Sequence, residues 1–211
     1  MAAAGLRTGA LTDASIQELF IRSGALRDGH FLLKSGRHSA QYLEKFLVLQ
    51  YPSLTAEVGR RFAKLLAPYD PTLVVGPTTG GVMLAFETAR QLSERLGREV
   101  RAIFAEPLAS AEAPVRALRR GWSVAPDERV VLVDDILTTG ASLVETAGAV
   151  RAAGVEPLAA AVIVDRSDGS AGPGFSIHAL GRIESASWPA DSCHLCRAGV
   201  PLEKPGSSRA T

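Results

Sequence analysis

The chain has 211 residues, enough to bury a proper core, and its 46% apolar and 21% charged shares exclude a disordered protein. A formal net charge of +1 excludes a strongly basic surface for nucleic acid or anionic membrane, and leaves a small polyanion in a local site open. The longest uninterrupted apolar run, Leu158 to Val164, has seven residues and cannot span a bilayer.

The N-terminal stretch lacks a secretory apolar core, so a cytoplasmic protein is expected, with neither membrane nor nucleic-acid partners. Asp13 is placed to cap a first helix, in which Ile16, Leu19 and Phe20 recur at helical spacing until Gly24. "GHFLLKSGRHSAQYLE" alternates like short strands around Ser35-Gly36. A second helix follows Ser53, with Val58, Phe62, Leu65 and Leu66 on one face. "TLVVGPTTGG" reads as a buried strand entering a glycine-rich turn. The next helix is expected to bury Val82, Phe86, Ala89, Leu92 and Leu96 and to stop at Gly97. "EVRAIFAE" is a strand, and "PLASAEAPVRALRRG" is the candidate for a mobile loop. A strand at Val130 to Val133, a helix from about Ser142 to Ala153 and a strand at Leu158 to Val164 complete the pattern. Apolar runs without alternation are strands buried on both faces. Their alternation with helices predicts an α/β fold around a mostly parallel sheet. The tail from Gly199 is expected to fray.

"VVLVDDILTTGAS", Val130 to Ser142, carries the chemistry. In an open α/β sheet ligands bind beyond the carboxyl ends of the strands, where Asp134 and Asp135 fall. Two adjacent carboxylates suit a vicinal diol, because each accepts hydrogen bonds from sugar hydroxyls. Thr138, Thr139, Gly140, Ala141 and Ser142 lead into a helix N-terminus, where backbone N–H groups and hydroxyls converge on a phosphate. A diol clamp beside a phosphate cradle implies a ribose 5-phosphate.

This stretch resembles the phosphoribosyl pyrophosphate (PRPP) motif of type I phosphoribosyltransferases, and lacks the Gly-Lys-Ser/Thr ending of a Walker loop. The resemblance implies that family's fold, a mostly parallel central sheet flanked by helices with a small N-terminal hood. It assigns "GPTTGG", with Thr78, Thr79, Gly80 and Gly81, to pyrophosphate, and the segment after "IFAE" to a catalytic lid. "GHFLLKSGRHSAQYLEK" resembles the hood segment of orotate phosphoribosyltransferases, with the pattern Phe-x-Leu-x-Ser-Gly-x-x-Ser. On this resemblance Lys34 lies near the substrates, and Arg166 in "VIVDRSDG" receives orotate beside Thr138. An arginine fork suits a planar carboxylate. The similarity runs from about Gly24 to about Gly169, and divides the chain into an N-terminal helix and hood (1–50), a PRPP-binding core (51–170) and a C-terminal extension (171–211) of one domain.

The implied reaction joins orotate to PRPP, releasing orotidine 5′-monophosphate and pyrophosphate. Asp134, Asp135 and Lys34 are the expected catalytic residues, and magnesium is carried mainly by PRPP, with no direct protein ligand. The family usually forms homodimers. Two departures stand out. Many members have "GPAYKG" where this chain has "GPTTGG", so Gly80 replaces a lysine, and "IFAEP" lacks the lid cations that follow that strand. Arg116, Arg119 and Arg120 are the candidate replacements, along with the backbone donors of Thr78 to Gly81. The departures keep two alternatives in play: a non-catalytic PRPP- or nucleotide-sensing regulator, and a transferase for another nucleobase. Cys193 and Cys196 span half of a zinc site, with His194 or a second subunit as candidate partners; lacking four ligands, they are read as structural or incidental. His30 and His38 fall in the hood, where substrate contact and core burial are both open. Trp122 and Trp188 are read as core or interface aromatics.

Overall fold

The computed structural model describes residues 14–33, 35–108, 115–167, 174–182 and 187–205. In chain order it has α1 (Ala14–Ser23), β1 (Leu26–Leu32), β2 (His38–Leu43), α2 (Phe46–Leu49) and α3 (Pro52–Leu66). Then come β3 (Leu73–Pro77), α4 (Gly80–Leu96), β4 (Arg101–Pro107), β5 (Arg116–Leu118), β6 (Val130–Leu137) and α5 (Ala141–Ala152). The chain ends with β7 (Ala159–Asp165), β8 (Ser176–Arg182), β9 (Ser187–Trp188) and α6 (His194–Arg197). It divides into two compact units, one of residues 49–181 and one of residues 1–48 with 182–211.

The larger unit is built on a six-stranded sheet of order β5-β4-β3-β6-β7-β8, in which β4, β3, β6 and β7 run parallel. Every residue of β3 is buried, as are all but one each in β6 and β7, as their unbroken apolar runs require. Leu73, Val75, Val130, Leu132, Ala160 and Val162 face Leu143, Ala147 and Val150 of α5. The alternate residues Val74, Val131, Val133, Ala161 and Ile163 are buried on the opposite face, which α3 and α4 cover.

Two sequence expectations change here. The buried face of α4 is Leu84, Ala85, Thr88, Ala89 and Leu92, while Phe86 is 68% exposed and Val82 and Leu96 are half-buried. Close approach to α3 sets this rotation. A Cβ on Gly59 would stand 2.6 Å from Glu87 Cγ, so the contact ridge of α4 runs beside Glu87 and leaves Phe86 outside. Part of the expected mobile loop is a strand: β5 pairs antiparallel with β4, Ala105 opposite Leu118 and Pro107 opposite Arg116. Residues 109–114 lie outside the described residues.

The smaller unit holds a three-stranded antiparallel sheet of order β1-β2-β9. Ile16, Leu19 and Phe20 of α1 are buried, as their spacing predicts; Asp13, the expected cap, is outside the described residues. The C-terminal residues group with this hairpin instead of extending the core. β9 pairs with β2, and Glu203 forms a bridge to Phe31, its N–H donating to the His30 carbonyl at 2.7 Å. The tail around residues 199–205, expected to fray, is therefore held by backbone bonds.

Candidate active site

Strands β3 and β6 are neighbours whose following helices lead apart, one to β4 and the other to β7. Such a switch point opens a crevice beyond the strand ends, and the two glycine-bearing turns, residues 77–81 and 137–141, both lie there.

In the first turn backbone meets backbone. A Cβ on Gly76 would stand 2.2 Å from the Gly81 carbonyl oxygen, and one on Gly81 2.6 Å from Pro77 Cδ, so no side chain fits where β3 enters α4. Gly80 is constrained by a functional group instead. Its Cβ would stand 2.4 Å from Asp135 Oδ2, which puts the second carboxylate of β6 against the first residue of α4. The Thr78–Thr79 peptide in this turn is cis.

Asp134 and Asp135 are 5% and 4% exposed. Asp134 accepts the Asp135 N–H at 2.8 Å on one oxygen and the Ser142 hydroxyl on the other, while Asp135 accepts the Ile136 N–H at 2.7 Å. Both carboxylates are thereby fixed in orientation, and the Ser142 bond ties the end of β6 to the first turn of α5. That helix starts from Gly140, at φ +76°, with no side-chain cap. Thr138 and Thr139 are exposed on the turn, and Thr139 Oγ1 accepts the Ala141 N–H at 3.4 Å. Hydroxyls and uncapped amides share one space at the positive end of a helix dipole, the composition of an anion site.

Arg166 follows β7, and its N–H donates to the Leu137 carbonyl at 2.8 Å, which holds it beside the start of this turn. Lys34 lies outside the described residues. Of the three candidate lid cations, Arg116 meets the first turn. Its Nη1 donates to Thr78 Oγ1 at 3.3 Å and to the Ala105 carbonyl at 3.2 Å, and its Nε pairs with Glu145 of α5 at 3.1 Å. Arg120 pairs with Glu106 at 2.6 Å instead, and its guanidinium holds that carboxyl below the usual carboxylate range. Arg119 is exposed. The short alternation of "VRAL" was the available signal for β5, whereas nothing local in the sequence pairs Arg116 with Thr78 or Glu145.

Residues 48–188 match the family model described as the phosphoribosyl transferase domain. The chain is 38% identical over 194 residues to the orotate phosphoribosyltransferase of Caldanaerobacter subterraneus subsp. tengcongensis, covering 92% of this chain and 97% of that one. It is 40% identical over 199 residues to that of Pelotomaculum thermopropionicum, covering 94% of this chain and 100% of that one. The chain belongs to the orotate phosphoribosyltransferase family. The solved Mycobacterium tuberculosis H37Rv orotate phosphoribosyltransferase in complex with PRPP aligns at a TM-score of 0.60 and 26% identity, covering 79% of this chain and 93% of that one. In this chain a side chain at position 80 would meet Asp135 in the orientation its carboxylate takes here.

Cys193 and Cys196, read as structural or incidental for want of four ligands, lie with His30 and His38 in the smaller unit. The two histidines that the sequence left between substrate contact and core burial are both buried, and His194 packs its ring on Trp188 instead. Trp122 packs edge-on against Phe104 at 4.7 Å.

Proposed function

We propose that this chain transfers the 5-phosphoribosyl group of PRPP to orotate, giving orotidine 5′-monophosphate and pyrophosphate on the route to UMP. The observation that carries the reading is Asp135 held between the two glycine-bearing turns, against Gly80 on one side and directly following Asp134, which Ser142 ties to the start of α5, on the other. Family membership supports the choice of orotate.

Thr78 to Gly81 receive pyrophosphate, and Arg116 brings positive charge to that turn. Thr138 to Ser142 hold the 5′-phosphate through the amides and hydroxyls at the start of α5. Asp134 and Asp135 orient the ribose diol as the anomeric carbon gains positive character, so stabilising the departing charge and aligning the base carry the catalysis. Lys34, Thr138 and Arg166 are assigned to orotate. Magnesium, when bound, would supply positive charge to offset that of the departing pyrophosphate. Asp134 and Asp135 suit that ion through water and substrate, because their oxygens already accept N–H and O–H bonds from the chain.

The protein acts as a homodimer in the cytoplasm. Supporting the dimer, Phe86 is exposed on α4 and borders a groove with Trp122 that is rimmed by Arg90, Glu99 and Arg101. No helix among the described residues is long and apolar enough to cross a membrane.

The test follows orotate consumption with PRPP and magnesium in the wild type and in Asp134→Asn/Asp135→Asn. The asparagine amides retain an oxygen for the Asp135 and Ile136 N–H groups, so the fold persists while kcat/KM falls by at least about 100-fold. Wild-type turnover in the double variant refutes the assigned roles. Binding of PRPP by the wild type without turnover of any base favours the regulator, and consumption of a different base favours another transferase.

A further inference from the structure

His30 lies on β1, His38 begins β2, Cys193 immediately precedes α6 and Cys196 is its third residue. Though drawn from the two ends of the chain, their ligand-type atoms all lie within 4.8 Å of one another. His30 Nε2 stands 2.9 Å from His38 Nδ1, 3.4 Å from Cys193 Sγ and 3.7 Å from Cys196 Sγ, and Cys196 Sγ stands 3.3 Å from His38 Nδ1. A tetrahedral zinc with Zn–N of about 2.05 Å and Zn–S of about 2.3 Å spaces its ligand atoms roughly 3.3–3.8 Å apart. The four atoms here approximate that polyhedron.

The surroundings of His30 fit an ion site. Its Nδ1 lies 2.8 Å from the Val200 carbonyl oxygen, which can only accept, so in the neutral ring Nδ1 carries the proton and Nε2 presents a lone pair. One lone pair faces three neighbours at once. Only one of them can donate to it, whereas a cation at the centre satisfies all four groups together. The Val200 carbonyl is the type of outer partner that fixes the tautomer of a metal-bound histidine. Three of the four are buried, Cys193 at 0%, His30 at 2% and His38 at 5% exposed, with the exposed Cys196 at the outer side. Two thiolates and two neutral imidazoles around a divalent ion sum to zero charge, which such a place tolerates.

We propose that this unit holds one structural zinc ion between His30 Nε2, His38 Nδ1, Cys193 Sγ and Cys196 Sγ. The Cys-x-x-Cys spacing at a helix start and the two imidazoles form a four-protein-ligand set with no open position, the closed pattern of a structural site. None of the four residues is among those assigned to PRPP or orotate. The ion supplies what the unit lacks in size. Its sheet has three short strands, and its buried apolar side chains are chiefly Ile16, Leu19, Phe20, Phe31, Leu43, Val48 and Leu195. A core this small gains from a metal staple. The staple joins the β1–β2 hairpin to residues 187–205, already linked by the Glu203 bridge and the Arg27–Glu203 ion pair at 2.8 Å.

The test begins with metal analysis of the full-length protein purified without chelator, and continues with cobalt(II) added to chelator-stripped protein. The expected result is about one zinc per chain. Cobalt then gives the intense visible d–d bands of a tetrahedral site and a near-ultraviolet thiolate-to-cobalt band, both abolished by added zinc. Stripping lowers Tm, and zinc restores it. His38→Gln and Cys196→Ser each weaken cobalt binding by at least about 10- to 100-fold. His194→Gln, which removes only the ring on Trp188, leaves the spectrum intact. Because the wild-type cobalt spectrum needs no variant, poor folding of either substitution does not obscure the outcome. Metal-free protein with unchanged Tm after chelation, a weak octahedral cobalt spectrum, a Cys193–Cys196 disulfide in its place, or dependence of the spectrum on His194 instead of His38 overturns the proposal.

Discussion

Gly80→Ala adds one methyl group to the first turn of α4, and the structure gives the consequence. In an ordinary helix the change is favourable by roughly 0.5–1 kcal/mol. Here the new Cβ stands 2.4 Å from Asp135 Oδ2 and 3.4 Å from Leu49 Cδ1. Ordinary contact with the carboxylate requires a displacement of about 1 Å. Asp135 is 4% exposed and anchored through the Ile136 N–H, so it does not swing into solvent. Crowding at a packed position costs about 1–3 kcal/mol, at roughly 2–4 °C of Tm per kcal/mol for a chain of this size. A displacement of that size at a ligand-orienting group costs on the order of 100-fold in rate. Gly148→Ala is the matched control: Gly148 is exposed within α5, with nothing within 4 Å of its missing Cβ. It should raise stability by roughly 0.5–1 kcal/mol and leave kinetics unchanged. The assay is steady-state turnover at varied PRPP, with thermal melts of both variants. Wild-type kcat/KM for PRPP in Gly80→Ala, with unchanged Tm, would show that Asp135 is not held against this turn.

Arg116→Ala removes the guanidinium bound to Thr78 and unpairs Glu145, so KM for pyrophosphate in the reverse reaction should rise about 10-fold or more. Arg120→Ala, whose side chain is 62% exposed and paired with Glu106, should leave that KM within about twofold; the reverse ranking of the two variants sinks the assignment of Arg116. Phe86→Glu puts a charge on the exposed apolar position of α4 and should shift the protein to monomer in sedimentation, with Tm little changed because Phe86 is 68% exposed. An unchanged dimer places the interface elsewhere.

The local geometry of Val130 to Ser142 was legible because the stretch is contiguous. Strand, carboxylates, turn and helix start all fall within Val130 to Ser142, so local rules of burial and capping reach every part of it. The doubly buried strands β3, β6 and β7 were legible for the same reason, and so was the end of α4 at Gly97, with φ +67°. The burial face of α4 was not. Its apolar residues allow two neighbouring stripes, and the Gly59–Glu87 approach, set by α3, chooses the one that leaves Phe86 outside. Pairing of like residues was also beyond the sequence: Arg116 and Arg120 look alike in "VRALRRG", and only the strand pairing of β4 with β5 sends one to Thr78 and the other to Glu106. The cluster of His30, His38, Cys193 and Cys196 shows the limit most clearly. Cys-x-x-Cys is a local pattern and was visible as half a site. Its histidines stand more than 150 residues away, and no periodicity relates them. The sequence by itself determined the strands β3, β6 and β7, the helices α4 and α5 and the two glycine-bearing turns, whose causes lie within a few residues. The tertiary structure alone decided which distant side chains share a space, because that depends on strand order and helix packing.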